Sequence, residues 1–223
     1  MDWLGEKLNV SSVTGTVWKY VNEKGVDVVL INNKADLDYY LKEDKRALGR
    51  SRDKRPRLFG DEVWKFQIVL RKHEYYYNSS PTPKNKIMKK IYGFRHRRSG
   101  VKLGFSIPVN VFGAGLRINH YGLIVVNEGA RIGTNCDIHQ GVNIGQNQNN
   151  GDVPIIGDNV WIGPGAKLFG KIRITDSIAI GANSIVNKDF LEENITIAGS
   201  PAKKIKNSGT KQMVTAASIK HAN

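Results

Sequence analysis

Aliphatic residues recur every six positions through the second half of the chain, and this period constrains the fold more than any other feature. They head each block of six at Val126, Ile132, Ile138 and Ile144, and after an interruption at Ile156, Ile162, Leu168, Ile174, Ile180 and Val186. A second series of mostly small or branched residues lies four places after the heads, at Ala130, Cys136, Val142, Val160, Ala166, Ile172, Ile178 and Ser184. Neither the helical period of about 3.6 residues nor strict alternation explains two series locked at six. The pattern predicts a left-handed parallel β-helix, in which three blocks close one triangular coil.

Helical spacing marks the chain before this repeat. The pattern predicts helices over 35–48, from Asp61 through the aromatic run near residue 77, and over 84–98, the last ending near Gly100. Trp64 and Phe66 are expected in the core of this part. The sequence therefore predicts a basic, mostly helical N-terminal region at 1–103, a β-helix at 104–206 and a polar C-terminal tail at 207–223.

Positive charge is concentrated in the N-terminal region. The chain has a formal net charge of +14, and residues 1–103 contain 23 Lys and Arg against 12 Asp and Glu. Such an excess suits an anionic membrane surface, a phosphorylated or acidic substrate, or simply a solvated helical face. Because no helix-turn-helix, zinc-finger or RNA-binding motif accompanies it, nucleic acid is not expected as a partner.

Cysteine usage and the lack of long apolar runs indicate the cytoplasm. A single cysteine, Cys136, excludes an internal disulfide framework. The sequence opens without the basic and then apolar segment of a secretory signal, and it has no apolar run of the roughly eighteen residues that a membrane span needs. We therefore expect a cytoplasmic protein, with peripheral contact at the inner face of a membrane as a further alternative.

Two histidines come together when the six-residue period is extended toward the N-terminus. The extension places Ala114 and His120 at head positions, so that a histidine replaces an aliphatic residue, and it stacks Ile138 on His120. His139 is then the neighbour of His120 on the next coil. Imidazole near neutral pH is a natural general base for a hydroxyl that attacks an activated carbonyl. The pair is therefore a candidate catalytic site.

Other roles for these residues remain open. The alternative role of His120 is that of a core histidine whose nitrogens are satisfied by carbonyl groups, and the alternative role of His139 is that of an exposed polar residue. Zinc normally takes three or four protein ligands, and the repeat offers only the two histidines and Cys136, so no metal is expected. Cys136 is a poor nucleophile because an inward thiol among apolar side chains keeps a high pKa.

The repeat is interrupted once, between Ile144 and Ile156, which are twelve residues apart. The register therefore survives the interruption. The polar segment 145–154 is expected to leave the prism as a loop that shapes a binding site, or else as a harmless surface excursion. The coils are expected to end at Asp189, and the lysine-rich segment beyond residue 200 is suited to phosphates.

Four stretches of this sequence resemble the hexapeptide-repeat acyltransferases, and most of all their serine acetyltransferase branch. They read INHYGLIVVNEGARIGTNCDIHQGVNIG, IIGDNVWIGPGAKLFG, IGANSIVNKD and AGSPAKKI, within about residues 106–206. The resemblance implies acetyl-CoA as the acyl donor and His120 as the catalytic base. It also implies a homotrimer with active sites in the clefts between neighbouring prisms. The positions that match coenzyme A-binding residues of related acetyltransferases are Pro164, Ala182, Asn187, Lys188, Lys203 and Lys206.

Departures from that branch bear on the acceptor. Val153 stands where serine acetyltransferases have a second histidine, and the aspartate that orients their catalytic histidine is missing near Phe105. His139 is a functional substitute, and the paired histidines resemble variants that acetylate sugars of surface polysaccharides. We therefore predict an acetyl-CoA-dependent O-acetyltransferase acting on a sugar hydroxyl, with a lipid-linked, phosphorylated or anionic acceptor suited to the basic region. The alternatives are a serine O-acetyltransferase of cysteine biosynthesis and a scaffold without enzymatic activity.

Overall fold

The computed structural model describes residues 7–12, 15–21, 27–148 and 151–211. An antiparallel sheet of three strands comes first, with β1 at Lys7–Ser12, β2 at Gly15–Val21 and β3 at Asp27–Val29. The weak pattern of residues 1–33 did not predict these strands. Residues 212–223, most of the predicted C-terminal tail, lie outside the described residues.

Three helices follow, α1 at Lys34–Ala47, α2 at Glu62–Asn78 and α3 at Pro83–Leu103. The predicted core positions Trp64 and Phe66 are buried, as expected. The prediction that α3 ends near Gly100 was wrong, since it runs to Leu103 and is capped by Gly104 in the left-handed conformation. Gly100 serves packing instead, because a Cβ there would lie 2.7 Å from the carbonyl oxygen of Phe105.

The second half of the chain is a three-sided parallel β-helix. Its strands are β4 Phe105–Ser106, β5 Arg117–Ile118, β6 Ile124–Val126, β7 Arg131–Ile132, β8 Asp137–Ile138, β9 Asn143–Gly145, β10 Ile155–Ile156, β11 Trp161–Ile162, β12 Lys167–Phe169, β13 Arg173–Ile174, β14 Ala179–Ile180, β15 Ile185–Val186, β16 Thr196–Gly199 and β17 Ala202–Lys206. The sheets have the orders β17-β16-β14-β11-β8-β5, β15-β12-β9-β6-β4 and β13-β10-β7. From β5 to β15, successive strands along the chain fall on successive sheets, so each of these coils visits all three sides.

Both six-residue series fill the interior of this prism. All the head residues from Val126 to Val186 are buried, and so are the fourth-place residues from Ala130 to Ser184. Ile156 pairs with Ile132, so the register does survive the interrupting loop. The period therefore identified the core correctly over these coils.

The first coil differs from the extrapolation by two residues. Ile118 pairs with Ile138, and Phe112 bridges to Ile132, so both partners are separated by 20 residues rather than 18. Val125 pairs with Asn143 at the regular spacing. The segment between Ile118 and the next strand is therefore two residues longer than in the other coils. This longer segment forms the turn that carries His120. The prediction that His120 occupies an aliphatic head position was wrong, because that position belongs to Ile118.

The coils also continue beyond their predicted end at Asp189. Phe190 bridges to Ile174, and β16 adds to β14 in parallel, with Ile197 fully buried. β17 then returns antiparallel to β16 and closes this end of the sheet. The lysine-rich segment is therefore a paired strand.

A buried ion cluster fastens the helices to the first coil. The guanidinium of Arg71 lies 2.8 Å from Asp44 of α1 and 3.0 Å from Glu74 of α2, and all three side chains are buried. It also donates to the carbonyl oxygens of Phe112 and Gly113 at 2.9 and 2.7 Å. Within the described ranges, no helix combines the length and the apolar character that crossing a membrane requires.

Candidate active site

The turns that lead from the six-stranded to the five-stranded sheet stack along one edge of the prism. The N–H of Gly141 donates to Leu123 at 2.6 Å, and that of Gly165 to Gln140 at 2.9 Å. The next turn follows in the same way, with the N–H of Asn183 bound to Pro164 at 2.9 Å. We call the stacked turns 119–123, 139–142, 163–166 and 181–184 the histidine edge, because the first two carry His120 and His139.

The two histidines occupy different environments on this edge. Their ring centroids are 6.4 Å apart, so the structure brings them together on adjacent coils. His120 is exposed, whereas the side chain of His139 is 17% exposed and meets the ring of Trp161 edge-on at 5.1 Å. Only His120 therefore presents an open imidazole to a ligand.

A polar network holds His139 in place. The side-chain amide of Asn119 donates to Asp137 and lies 3.1 Å from Nε2 of His139. Since an amide nitrogen can only donate, Nε2 of neutral His139 accepts this bond and Nδ1 carries the proton. Arg117 lies 3.5 Å from the other oxygen of Asp137 and completes the network.

Burial sets the charge of His139. It lowers the pKa of His139 below the ordinary histidine value, and Asp137 opposes this effect only in part. Burial also raises the pKa of Asp137, against the opposing effect of Arg117. His139 is therefore neutral at neutral pH, when its Nε2 can accept the Asn119 hydrogen bond. The chemistry open to this arrangement is proton abstraction by His120 beside an oriented neighbour.

The six predicted coenzyme A-binding residues are divided between three places. Pro164 and Ala182 lie on the histidine edge, on the two coils that follow His139. Asn187 and Lys188 directly follow β15, at the next edge of the prism. Lys203 and Lys206 lie on β17, opposite Ala198 and Thr196 of β16.

Three residues of the site were missed at the sequence level: Asn119, Asp137 and Trp161. Asp137 had a signal, because it precedes His139 by two positions and so points to the same side of an extended segment. Asn119 and Trp161 could be placed only once the coil lengths were known. The thiol of Cys136 is buried, and burial raises its pKa, which agrees with its expected inertness.

Comparison with known proteins points to one kind of acyltransferase. No protein-family model matches the chain. It is 37% identical over 101 residues to the serine acetyltransferase of Synechococcus elongatus, a match that covers 44% of this chain and 41% of that protein. Serine acetyltransferase from Brucella abortus, solved with coenzyme A, superposes with a TM-score of 0.60 at 28% identity, covering 79% of this chain and 70% of that one. The soybean enzyme solved with serine gives a TM-score of 0.60 at 25% identity, covering 77% and 70%.

These matches support the resemblance to hexapeptide-repeat acyltransferases and correct the predicted acceptor. The chain spans less than half the length of the curated relatives it matches. These relatives are named serine acetyltransferases, so the prediction of a polysaccharide sugar as acceptor is contradicted. That prediction relied partly on the basic N-terminal region, but eight of the Lys and Arg residues of this region lie on α3 rather than on the histidine edge.

Proposed function

We propose that this chain transfers the acetyl group of acetyl-CoA to the hydroxyl of serine, with His120 as general base. The observation that carries the proposal is the exposed imidazole of His120 on the histidine edge, 6.4 Å from the held ring of His139. The similarity to serine acetyltransferases, among them one solved with coenzyme A and one with serine, supports the choice of donor and acceptor.

The proposed reaction is direct transfer within a ternary complex. His120 takes the proton of the serine hydroxyl as its oxygen attacks the thioester carbonyl. The C–S bond then breaks, the acetyl group remains on the serine oxygen, and the thiolate of coenzyme A takes the proton back from His120. His139 orients His120 or the acceptor. A backbone N–H on a coil corner would stabilise the oxyanion, a contribution typically of about 3 kcal/mol.

The proposal assigns coenzyme A to the coils that follow the histidines along the prism. The residues assigned to it are Pro164, Ala182, Asn187, Lys188, Lys203 and Lys206. Turns with closely packed backbones border this surface, since a Cβ on Gly163 would lie 2.8 Å from the nitrogen of Ala182. We also propose left-handed winding of the coils and a homotrimer with the active site between prisms, as the family resemblance implies.

A thiol-release assay tests the reaction. The full chain is incubated with acetyl-CoA and either L-serine, L-alanine or sugar acceptors, and the product is identified by mass spectrometry. We expect thiol release with formation of O-acetylserine, and none above background with alanine, which lacks the hydroxyl. The absence of serine-dependent release would contradict the proposal.

A further inference from the structure

Helix α3 has an unusual composition for a helix packed on a protein. It spans Pro83–Leu103 and contains eight Lys and Arg and no Asp or Glu. Only Gly100 and Leu103 of this helix are fully buried. Most of its surface is therefore turned to solvent, and that surface is strongly cationic.

An apolar stripe runs along the outer face of α3. Ile87, Ile91, Phe94 and Val101 lie within a narrow arc at about 100° per residue, on one side of the helix, and Arg98 falls within the same arc. All four are exposed, with 59% of Ile87 and 66% of Phe94 accessible. Exposed large apolar side chains aligned over four turns mark a surface that binds a membrane or another partner.

Cations border this stripe on both sides. At the same helical spacing, one flank carries Lys84, Arg95 and Lys102, and the other carries Lys86, Lys90 and Arg97. Their long side chains can reach past the stripe toward phosphates while the apolar residues point between them. An apolar face between two rows of cations is typical of a helix that lies in the plane of an anionic membrane surface.

The loop before α2 extends this surface. Leu58 and Phe59 are the most exposed large apolar residues of the described chain, within a segment rich in arginine and lysine. The ammonium of Lys65 donates to the carbonyl oxygen of Leu58 at 2.8 Å. Lys65 and its ion-pair partner Glu62 also line a groove together with Arg98 and Lys102 of α3. The loop tip and the C-terminal half of α3 therefore belong to one basic and apolar surface.

We propose that this surface, formed by the outer face of α3 and the tip Leu58–Phe59, binds the anionic lipid surface of a membrane. The apolar side chains enter the acyl boundary and the flanking cations contact lipid phosphates. A second copy of α3 is disfavoured as the occupant, because two helices of eight cations without a carboxylate would repel each other. Nucleic acid is also disfavoured as the occupant, because its phosphates would lie against the apolar side chains of the stripe. The binding is separate from acetyl transfer and does not depend on it.

Vesicle sedimentation of the full chain tests the proposal. We expect binding to phosphatidylcholine vesicles that contain phosphatidylglycerol, and little binding to phosphatidylcholine alone. Phe94→Ser should lower the partition coefficient by at least about tenfold, because it removes one of the largest inserted side chains. Lys90→Glu should lower it by about fivefold or more, because it removes one cation and adds one anion near the lipid surface.

Matched variants on the β-helix provide the controls. Leu191 is 63% exposed and Lys171 is exposed, so Leu191→Ser replaces another exposed large apolar side chain and Lys171→Glu makes the same charge reversal elsewhere on the surface. Both should bind as the unaltered chain does. Equal binding to both kinds of vesicle, or an equal loss in Leu191→Ser and Phe94→Ser, would overturn the proposal. A change of molar mass in Phe94→Ser without vesicles would overturn it in favour of a second copy.

Discussion

At the scale of single residues, exposure separates the roles of the two histidines. His120 is exposed and directly follows Asn119, whose amide holds His139 rather than His120. Because the lone pair on Nε2 of His139 already accepts the hydrogen bond from Asn119, this nitrogen cannot also take a proton from a substrate. His120, whose imidazole is exposed, is therefore the better general base, and His139, whose imidazole is hydrogen-bonded, is the better positioning residue.

We predict that His120→Ala lowers kcat by about a hundredfold to ten-thousandfold, the usual contribution of a general base. Stability should change little, because the side chain is exposed. Thiol release from acetyl-CoA with serine measures the first effect, and thermal unfolding measures the second. A variant with unaltered turnover would contradict the assignment. His139→Ala is the companion variant, and full turnover there would reduce His139 to a bystander.

At the scale of secondary-structure elements, the repeat predicted the interior because a narrow prism accepts only aliphatic or small side chains at two positions per side. It failed where the turn lengthens. Phe112 and Ile118 are themselves six apart, and Leu116 follows Phe112 by four, so the first coil carries the same pattern in a register shifted by two. That shift was readable, but the partners of Asn119 were not, because they depend on which strands pair.

The docking of the helices depends on the charge cluster around Arg71. We predict that Arg71→Met destabilises the fold by about 3–5 kcal/mol, because it leaves Asp44 and Glu74 buried without their cation. Urea unfolding measures the loss. Arg57→Met is the control, since Arg57 is exposed and its pair with Asp61 at 3.7 Å should contribute less than about 1 kcal/mol. Equal losses in the two variants would show that burial of the cluster is irrelevant.

A second contact between elements makes the helices sensitive to acid. His73 of α2 and His96 of α3 bring their Nδ1 atoms within 3.1 Å, and burial, with His73 as a smaller influence, lowers the pKa of His96 to about 4. Burial and Lys89 also lower the pKa of His73. Because the unfolded chain binds these protons first, near the ordinary histidine pKa, stability is complete above that value and falls as the pH drops toward 4.

We predict that His96→Gln flattens this acid dependence. From the shift of His96 alone, the unaltered chain should lose about 2 kcal/mol of unfolding free energy between neutral pH and about pH 4.5 beyond what the variant loses. Urea unfolding at the two pH values measures the difference. His120→Gln is the matched control, because its exposed imidazole lies outside the interface of α2 and α3 and should leave the loss unchanged. Parallel losses in His96→Gln and the unaltered chain would contradict the prediction.

At the scale of the whole molecule, the histidine edge of a single chain leaves large apolar side chains exposed beside the proposed base. Tyr121 and Leu123 lie one and three positions after the proposed base, and both are exposed, Leu123 by 67%. Because the site must exclude water during acetyl transfer, we expect these apolar side chains to be buried by a partner surface. In the proposed homotrimer, the neighbouring prism would supply this surface.

We predict a molar mass of three times 24.9 kDa for the unaltered chain in light scattering. Leu123→Glu should lower both the mass and the serine-dependent turnover, because a carboxylate buried between prisms is not paired. Leu191→Glu changes an equally exposed leucine away from the histidine edge and should keep both. A Leu123→Glu variant that is monomeric and fully active would show that each prism works alone, and one that stays trimeric would place the interface elsewhere.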